Sequence, residues 1–279
     1  MSTIGFEDIK LKYLSIAEAR SCHGLRLVLG AYTVPGPWRE ACKGLFDVKG
    51  LSYNSVRTAD AGASDLDFGM GGTQSELYAW TAQSSAPVAI WNDERPRSSW
   101  IDQLNLAERL APEPSLVPRD TALRVQMFGL INEIAGENGF GWSKRLLLVH
   151  EALGTLSPGK AGYDFWKTLA DKYLYSPALG EAAKACMIEV LNLLTGQLAV
   201  QHSRGSRYLI GNRLSALDIY FSTFYALIEP MPEPLCPMAW SYRPSYENHD
   251  PDIARAATSA LAAHRDFIYR KHLVLPIVF

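Results

Sequence analysis

The sequence predicts a small α/β unit followed by an all-α helical bundle. Three observations predict this fold class. Residues 25–57 read as strand, helix and strand with short connections, residues 111–119 hold three prolines, and the apolar residues beyond them recur at helical spacing. The predicted organisation is an N-terminal extension (1–24), an α/β domain (25–110), a linker (111–119) and a helical domain with a C-terminal tail (120–279).

Composition and charge narrow the class of protein. The 279 residues are 48% hydrophobic and 20% charged, which is typical of a soluble globular protein with a sizeable core. The net charge of −2 and the scattered lysines and arginines argue against nucleic acid or an anionic membrane as a partner. No apolar run approaches the roughly 20 residues of a transmembrane helix, and residues 1–20 lack the pattern of a signal peptide, so we expect a cytoplasmic protein.

The cysteines and histidines predict no metal site and no dithiol redox motif. The four cysteines, Cys22, Cys42, Cys186 and Cys236, form no CxxC pair and have no histidine at ligand spacing, and the six histidines form no HExxH pair. Cys42 and Cys186 fall on helix faces, where a buried structural thiol is the expected role.

The α/β unit begins with a parallel crossover. Leu25 to Ala31 alternates leucines with other residues and predicts a buried strand, Trp38 to Lys49 predicts a helix closed by Gly50, and Leu51 to Arg57 predicts a second strand. Strand, helix and strand with short connections predict a right-handed crossover and a parallel pair.

The rest of the unit is predicted as a loop, a helix, a strand and a helix. Residues 58–72 are rich in Gly, Ala and Asp and predict a loop, and a short helix covers 74–81. Pro87 to Asp93 predicts a third strand, the following DERPR a tight turn with room for a very short fourth strand, and Ser98 to Leu110 a helix.

Apolar stripes predict the helices of the second domain. Asp120 is a candidate cap for the first of them. Two weaker helical stretches cover 163–174 and 252–270, and the apolar tail LVLPIVF is expected to pack on the α/β unit rather than close a pocket. The stripes of the three stronger helices are Met127, Leu130, Ile131 and Ile134; Met187, Val190, Leu191, Leu194 and Leu198; and Leu217, Phe221, Phe224 and Ile228.

Two proline-containing turns are candidate binding elements. A helix that begins just after Gly36 and Pro37 offers N–H groups and a positive dipole end to an anion such as a thiolate, although a rigid turn before the helix also explains these residues. In SSAPVAIW, Pro87 opens a strand. A cis bond there would free neighbouring backbone groups to pair with a peptide ligand, and an ordinary strand-start proline is the alternative.

Three segments, in the same order, resemble the glutathione S-transferase family. YLIGNRLSALDIY carries a predicted capping box from Ser215 to Asp218, and it is similar to the family's helical-domain signature. GPWREACKGLFDVKGLSY resembles the segment after the family's first strand, and SAPVAIWNDERPRSSWIDQLNLAERL resembles the segment with the cis-proline. The resemblance covers most of residues 25–227.

The resemblance implies a thioredoxin-like domain that binds glutathione, a helical domain that supplies a pocket for a hydrophobic electrophile, and a homodimer. It places Gly36, Pro37, Ala86 and Pro87 at the glutathione site, with Pro87 as the cis-proline. It also implies that the backbone of Val88 pairs with the cysteinyl backbone of glutathione. Ser98 would hold the γ-glutamyl carboxylate with its hydroxyl and the helix N-terminus behind it.

The sequence departs from the family at two of these positions. Arg97 stands where the family has a glutamate that contacts the ammonium of glutathione, and Gly36 stands where the family has a catalytic serine or cysteine. Tyr32 is placed like the catalytic tyrosine of the alpha, mu and pi classes, and Thr33 is the competing hydroxyl donor to the sulfur. A packing role for Tyr32 is the alternative.

The predicted electrophile pocket draws on the first bundle helix and its successor, through Phe128, Ile131, Asn132, Phe140 and Trp142. A core role explains the apolar members equally well. Three functions stay open at this stage: a transferase with glutathione as co-substrate and no metal, a binding or structural protein on the same scaffold, and a glutathione-dependent isomerase, lyase or reductase of one pathway.

Overall fold

The computed structural model describes residues 11–30, 34–58, 74–238 and 243–278, which fold into two compact units. The sequence predicts one helical domain from 120 to 279, whereas the chain belongs to the first unit again at 230–247 and at 266–278. The first unit comprises the described residues of Met1–Val117, Pro230–Glu247 and Asp266–Phe279, and the second comprises Pro118–Glu229 and Asn248–Arg265.

The apolar tail packs within the first unit. Ile277 is buried, and its N–H donates to the carbonyl of Leu235 at 2.8 Å. The ammonium of Lys43 donates to the carbonyl of Val278 at 2.5 Å. The expected packing of LVLPIVF on the α/β unit is therefore confirmed for its described residues, 273–278.

The first unit is built on a four-stranded sheet with the order β1-β3-β2-β4. β2 and β3 are parallel, which confirms the predicted crossover, while β4 runs antiparallel to β2. An isolated antiparallel bridge joins Ala89 to Arg97 at the other edge of β4, in the place of the predicted very short strand. The strands are β1 (Tyr13–Leu14), β2 (Leu25–Val28), β3 (Asn54–Val56) and β4 (Val88–Trp91).

The three helices predicted for the α/β unit lie close to their predicted bounds, whereas the predicted helical stretch 252–270 is divided into two helices, Pro251–Ala256 and Ser259–His272. The helix after β2 starts at Pro37, directly behind the Gly36 cap, and Gly50 follows its end in the left-handed region at φ +65°. The described helices are α1 (Ile16–Arg20), α2 (Pro37–Val48), α3 (Ser75–Thr81), α4 (Trp100–Leu110) and α10 (Arg243–Tyr246), and α12 (Ser259–His272) has residues in both units.

The N-terminal extension contains structure that the sequence analysis did not predict. β1 pairs in parallel with β3, with Tyr13 opposite Ser55, and α1 follows it. A capping box forms between Ser15 and Glu18, so the signal for α1 was present in the sequence. Arg26 on β2 is buried and donates to the carbonyls of residues 19 and 22, which ties this extension to the sheet.

The second unit is helical, as predicted. Its longest helix, Pro177–Ser203, buries the predicted stripe from Met187 to Leu198. Within the described residues this is the helix whose length and composition would allow a membrane span, and its buried stripe is that of a core helix. The helices are α5 (Thr121–Ala135), α6 (Phe140–Thr155), α7 (Tyr163–Lys172), α8 (Pro177–Ser203), α9 (Ala216–Phe224) and α11 (Pro251–Ala256).

A buried carboxylate organises the start of α9. Asp218 is wholly buried, accepts from the N–H of Ser215 at 2.9 Å and completes the predicted capping box. Its other oxygen accepts from the N–H of Leu209 at 2.8 Å and lies 3.1 Å from Nε2 of His264. One side chain therefore joins the loop before α9, the helix cap and α12.

We expect Asp218→Ala to destabilise the protein by about 3 kcal/mol, because the substitution leaves several buried donors without an acceptor. Asp120→Ala is the matched control. Asp120 caps α5 through the N–H of Leu123 but is exposed, so its loss should cost about 1 kcal/mol. Urea unfolding of both variants measures the difference, and equal losses would contradict the role given to Asp218.

Candidate functional site

The pairing of β4 with β2 brings three chain segments to one end of the sheet. Val28, the last residue of β2, lies opposite Val88, the first residue of β4. The segment that leads from β2 to α2 and the residues just before β4 therefore leave the sheet at the same end. The antiparallel bridge from Ala89 to Arg97 brings the start of α4 to this end as well.

The first element of the site is the N-terminus of α2. Gly36 is the N-cap, with extended backbone at φ −74° and ψ 120° and no side chain to cap the helix, and Pro37 follows as the first helical residue. A Cβ on Gly36 would meet only the side chain of Arg39, at an ordinary 3.8 Å. A serine or cysteine would therefore fit here, so packing alone does not explain the glycine.

Tyr32 and Thr33 lie outside the described residues, and their catalytic roles stay predictions. The structure does describe how the residues on either side are held. Arg39 is 3% exposed, and its guanidinium donates to the carbonyl of Leu29 at 3.4 Å and to that of Val34. One buried cation thus links the end of β2 to the approach to α2.

Arg39 belongs to a chain of buried charges on α2. Its Nε lies 3.4 Å from Oε1 of Glu40, and Oε2 of Glu40 lies 2.8 Å from Nζ of Lys43. All three side chains are nearly buried, and Lys43 continues the chain to the carbonyl of Val278. Sequence reasoning missed this network, although the sequence shows three charged residues within five positions of α2, on either side of Ala41 and Cys42.

The second element is the turn before β4. The Ala86–Pro87 peptide bond is cis, as the resemblance implies. The carbonyl of Pro87 accepts from Nε2 of Gln103 at 3.1 Å. Gln103 is 2% exposed and also lies 3.3 Å from the carbonyl of Ser98, so it fixes two segments of the site. It was not predicted, and its signal was an amide within the apolar stripe of α4.

The backbone of Val88 does not have the role that the resemblance implies. Ala89 donates to Arg97 at 2.8 Å and accepts from it at 2.9 Å, so its backbone groups point to the outer edge of β4. Backbone groups alternate along a strand, and those of Val88 therefore point to β2, where Val88 is opposite Val28. Ala86, two residues earlier, has no hydrogen-bond partner among the described residues.

The third element is the N-terminus of α4. The helix begins at Trp100 and is capped by Ser99, whose hydroxyl accepts from the N–H of Asp102 at 3.2 Å. Ser98, predicted as the first helical residue, precedes this cap and is exposed. Its hydroxyl is not the cap of α4, so it can serve as a donor to a ligand.

Arg97 is already paired with a carboxylate. Its guanidinium lies 2.6 Å from Oε2 of Glu94, and that same oxygen lies 2.5 Å from Arg109. The hydrogen bond from Arg109, and then that from Arg97, lowers the pKa of Glu94. The glutamate that the family has at position 97 is thus replaced by an arginine whose charge Glu94 compensates.

The thiols of the chain give no reactive centre at this site. Cys42 is wholly buried on α2, as predicted, and burial raises its pKa far above the usual range of a thiol. Cys186 is only half-buried, unlike the prediction, and its Sγ lies 3.4 Å from the carbonyl of Asn138. Among the described residues no group of three or more His, Cys, Asp or Glu side chains is placed to hold a metal ion.

The predicted pocket residues of the helical unit divide between different surroundings. Phe140 lines a small apolar cavity together with Ile134 and Leu191, and Ile131 is wholly buried. Trp142 packs edge-on against Tyr173, with ring centroids 4.8 Å apart, and its Nε1–H donates to the carbonyl of Tyr173 at 3.1 Å. Two residues apart on one helix, Phe140 and Trp142 point in nearly opposite directions.

The other two predicted pocket residues lie on α5. Phe128 is half-buried and Asn132 is exposed. In the turn after α5, two glycines lie too close to the end of that helix to carry a side chain. A Cβ on Gly136 would lie 2.5 Å from Oδ1 of Asn132, and one on Gly139 would lie 2.6 Å from the carbonyl of Glu133. Gly136 and Gly139 therefore set the direction in which α6 leaves α5.

Comparisons with known proteins identify the fold. No family model matches the sequence, and no curated protein matches it significantly. Many solved structures do match, and eight of them are 12–19% identical in sequence to this chain. A glutathione S-transferase from Methylobacterium radiotolerans, crystallised with glutathione sulfonate, is 15% identical over 89% of this chain and 92% of its own, with a TM-score of 0.58.

Two further structures show the same similarity. The beta-etherase LigF from Sphingobium sp. is 15% identical over 90% of this chain and 97% of its own, with a TM-score of 0.58. Glutathione transferase Omega 3C from Trametes versicolor is 14% identical over 94% and 91%, with a TM-score of 0.53. The chain therefore has the fold of the glutathione S-transferases, a thioredoxin-like unit and a helical unit.

We expect Arg39→Met to destabilise the protein by about 3 kcal/mol. The substitution removes one of the two cations beside the buried Glu40 and the donor of the Leu29 and Val34 carbonyls. Amide exchange at Val34 and Gly36 should also accelerate, since the clamp on this turn is lost. Arg20→Met, at an exposed arginine of α1, is the control and should change neither. Unchanged exchange in Arg39→Met would contradict the clamp.

Proposed function

We propose that this protein is a glutathione S-transferase. It binds glutathione in the thioredoxin-like unit, favours the thiolate and transfers the sulfur to a hydrophobic electrophile. The observation that carries this proposal is the convergence of the α2 N-terminus, the backbone of Ala86 and the α4 N-terminus at one end of the sheet. These three groups match the thiol, the peptide backbone and the carboxylate of glutathione.

The peptide part of glutathione pairs with Ala86. Within the described residues, the N–H of Ala86 has no acceptor and its C=O has no donor. An extended ligand can supply both as an added strand. Ala86 thus takes the role that the resemblance assigns to Val88, whose backbone the sheet already uses. The γ-glutamyl carboxylate binds at the start of α4, where the hydroxyl of Ser98 and the helix dipole both favour an anion.

The sulfur binds before α2. A hydroxyl from Tyr32 or Thr33 donates to it, and the positive end of the α2 dipole at Gly36 and Pro37 lowers the pKa of the thiol. The thiolate then attacks an electrophilic carbon, a new C–S bond forms, and the leaving group departs with its electron pair. With no serine or cysteine at position 36, no mixed disulfide with the enzyme forms at this position.

Arg97 places a cation near the γ-glutamyl carboxylate, and Glu94, which Arg97 shares with Arg109, compensates only part of the charge of the two arginines. The electrophile binds in the helical unit beside Phe128 and Asn132, whereas Ile131 and Phe140 are buried in its core. Trp142 supports α7 instead. The proposal also includes a homodimer, a cytoplasmic location and no metal cofactor.

A second candidate is a pathway-specific glutathione-dependent enzyme. The structural similarity to a protein named beta-etherase, at the same TM-score as to the bacterial transferase, favours it. In that case the thiolate displaces an oxygen leaving group from an ether carbon rather than a halide. The glutathione site is the same for both candidates, and only the electrophile differs. A binding protein without catalysis is the outcome if glutathione binds and no electrophile reacts.

Glutathione titration tests the site. We expect isothermal titration to detect binding at millimolar glutathione and Ser98→Ala to weaken it by about tenfold, the effect of losing one hydrogen bond to a charged group. Ser157→Ala, at an exposed serine of the loop after α6, is the matched control and should bind like the wild type. An absence of wild-type binding at this concentration would rule out both catalytic candidates.

Conjugation of 1-chloro-2,4-dinitrobenzene tests the sulfur donor. We expect kcat/KM to fall by about a hundredfold in Tyr32→Phe if the phenol holds the thiolate. Thr33→Val tests the competing hydroxyl in the same assay. A Tyr32→Phe rate equal to the wild type, together with a loss in Thr33→Val, would transfer the role to Thr33.

A further inference from the structure

Trp38 is open to solvent where the rest of its helix is not. It is the second residue of α2 and is half-buried, whereas every other residue from Pro37 to Phe46 is buried. Even the charged side chains of this stretch are covered. The structure describes the whole stretch, so Trp38 is the one residue in nearly three turns of helix that reaches the surface.

The ring lies beside the proposed position of the sulfur. Gly36, the N-cap of α2, is also half-buried, while Val34 and Pro35 before it are buried. Among residues 34–46 the surface at this end of the helix is therefore formed by residues 36 and 38. Their Cα atoms lie within about 7 Å of each other, because consecutive Cα atoms are about 3.8 Å apart.

The direction of the side chain brings the indole to the same end. A helical side chain leans toward the N-terminus of its helix, so Trp38 covers surface next to the N-cap and not farther along α2. Gly36 has no side chain to cover the ring, and a Cβ there would meet only the side chain of Arg39. A ligand bound at Gly36 therefore has apolar, aromatic surface next to it.

Packing explains only part of this side chain. Trp38 shares a helix face with Ala41 and Cys42, three and four residues later, and both are wholly buried. The covered part of the indole continues this core face to the end of α2. The uncovered part adds nothing to the core, and aromatic side chains are the typical lining of sites for small organic ligands.

We propose that Trp38 is a specificity-determining residue whose indole packs against an aromatic ring of the electrophile. This inference rests on the proposed transferase function and deepens it in two respects. The contact next to the sulfur comes from the unit that binds glutathione. The substrate class narrows to electrophiles that carry an aromatic ring at or beside the reacting carbon, because two aromatic rings gain more from contact than their buried area alone provides.

A pair of electrophiles tests this role. 1-Chloro-2,4-dinitrobenzene is aromatic and 1-iodobutane is an apolar aliphatic compound, and each loses a halide ion when the thiolate forms the C–S bond. In Trp38→Ala we expect kcat/KM for the aromatic compound to fall by about tenfold, the size of one lost aromatic contact, and kcat/KM for 1-iodobutane to stay within about twofold of the wild type. Trp38→Phe should recover most of the loss.

Trp91→Ala is the matched control. Trp91 is also half-buried, but it lies opposite Leu25, at the end of β4 away from Val88. Its loss should leave the ratio of the two kcat/KM values unchanged, and thermal unfolding of both variants shows how much of any loss is due to folding. Equal losses for both electrophiles in Trp38→Ala, or no loss for the aromatic one, would overturn the inference and leave Trp38 as a packing residue.

A binding measurement separates this inference from the parent proposal. Isothermal titration with S-(2,4-dinitrophenyl)glutathione and S-butylglutathione requires no catalysis. We expect Trp38→Ala to weaken binding of the dinitrophenyl compound by about tenfold and to change binding of the butyl compound and of glutathione by less than about twofold. Equal changes for the two thioethers would overturn the role of Trp38 and leave the transferase proposal intact. If the wild type binds neither glutathione nor a thioether, the transferase proposal fails and this inference fails with it.

Discussion

The antiparallel pairing of β4 with β2 is the constraint on which the geometry of the candidate site depends. The register places Val88 opposite Val28, and the bridge from Ala89 to Arg97 uses the other edge of β4. A shift by one residue would turn Val88 and Ile90 to the face that now holds the smaller Ala89, so packing on the two buried faces of β4 holds the register. The ladder uses the backbone groups of Val88, whereas Ala86 lies beyond the last ladder pair, before the cis bond to Pro87, and has no hydrogen-bond partner among the described residues.

Buried polar side chains then fix the segments that the sheet brings together. Gln103 holds the turn before β4 and the approach to α4, and Arg39 holds the two ends of the segment between β2 and α2. In the helical unit Asp218 does the same for the start of α9. Each of these three side chains bonds mainly to backbone atoms and therefore fixes the position of a loop. The groups proposed to bind a ligand are others, at the end of the sheet.

Much of the fold was predictable because it is local. Strand, helix and strand from residue 25 to 57, the stripe on α8 and the capping box at Ser215 all follow from spacing and cap residues. The helix α1 has the same kind of signal in the capping box of Ser15 and Glu18, although it was not predicted. That Phe140 and Trp142 face different ways was also readable, because they are two residues apart on one helix.

What was not predictable depends on tertiary packing. The pairing of distant strands decides which edge of β4 the backbone of Val88 faces. One acceptor of Lys43, the carbonyl of Val278, lies 235 residues away in the sequence. The boundary of the helical domain was drawn at a proline-rich linker, but residues 230–247 and 266–278 belong to the first unit.

The discontinuous composition of the first unit has a consequence for synthesis in the cell. Proteins emerge from the ribosome from the N-terminus, and domains generally fold as units once their residues are available. The sheet and α2 are made early, but Lys43, which pairs with Glu40 on the same helix, gains its second acceptor only with the carbonyl of Val278. The first unit is thus completed only after the second, whose residues 118–229 and 248–265 lie between its segments in the sequence.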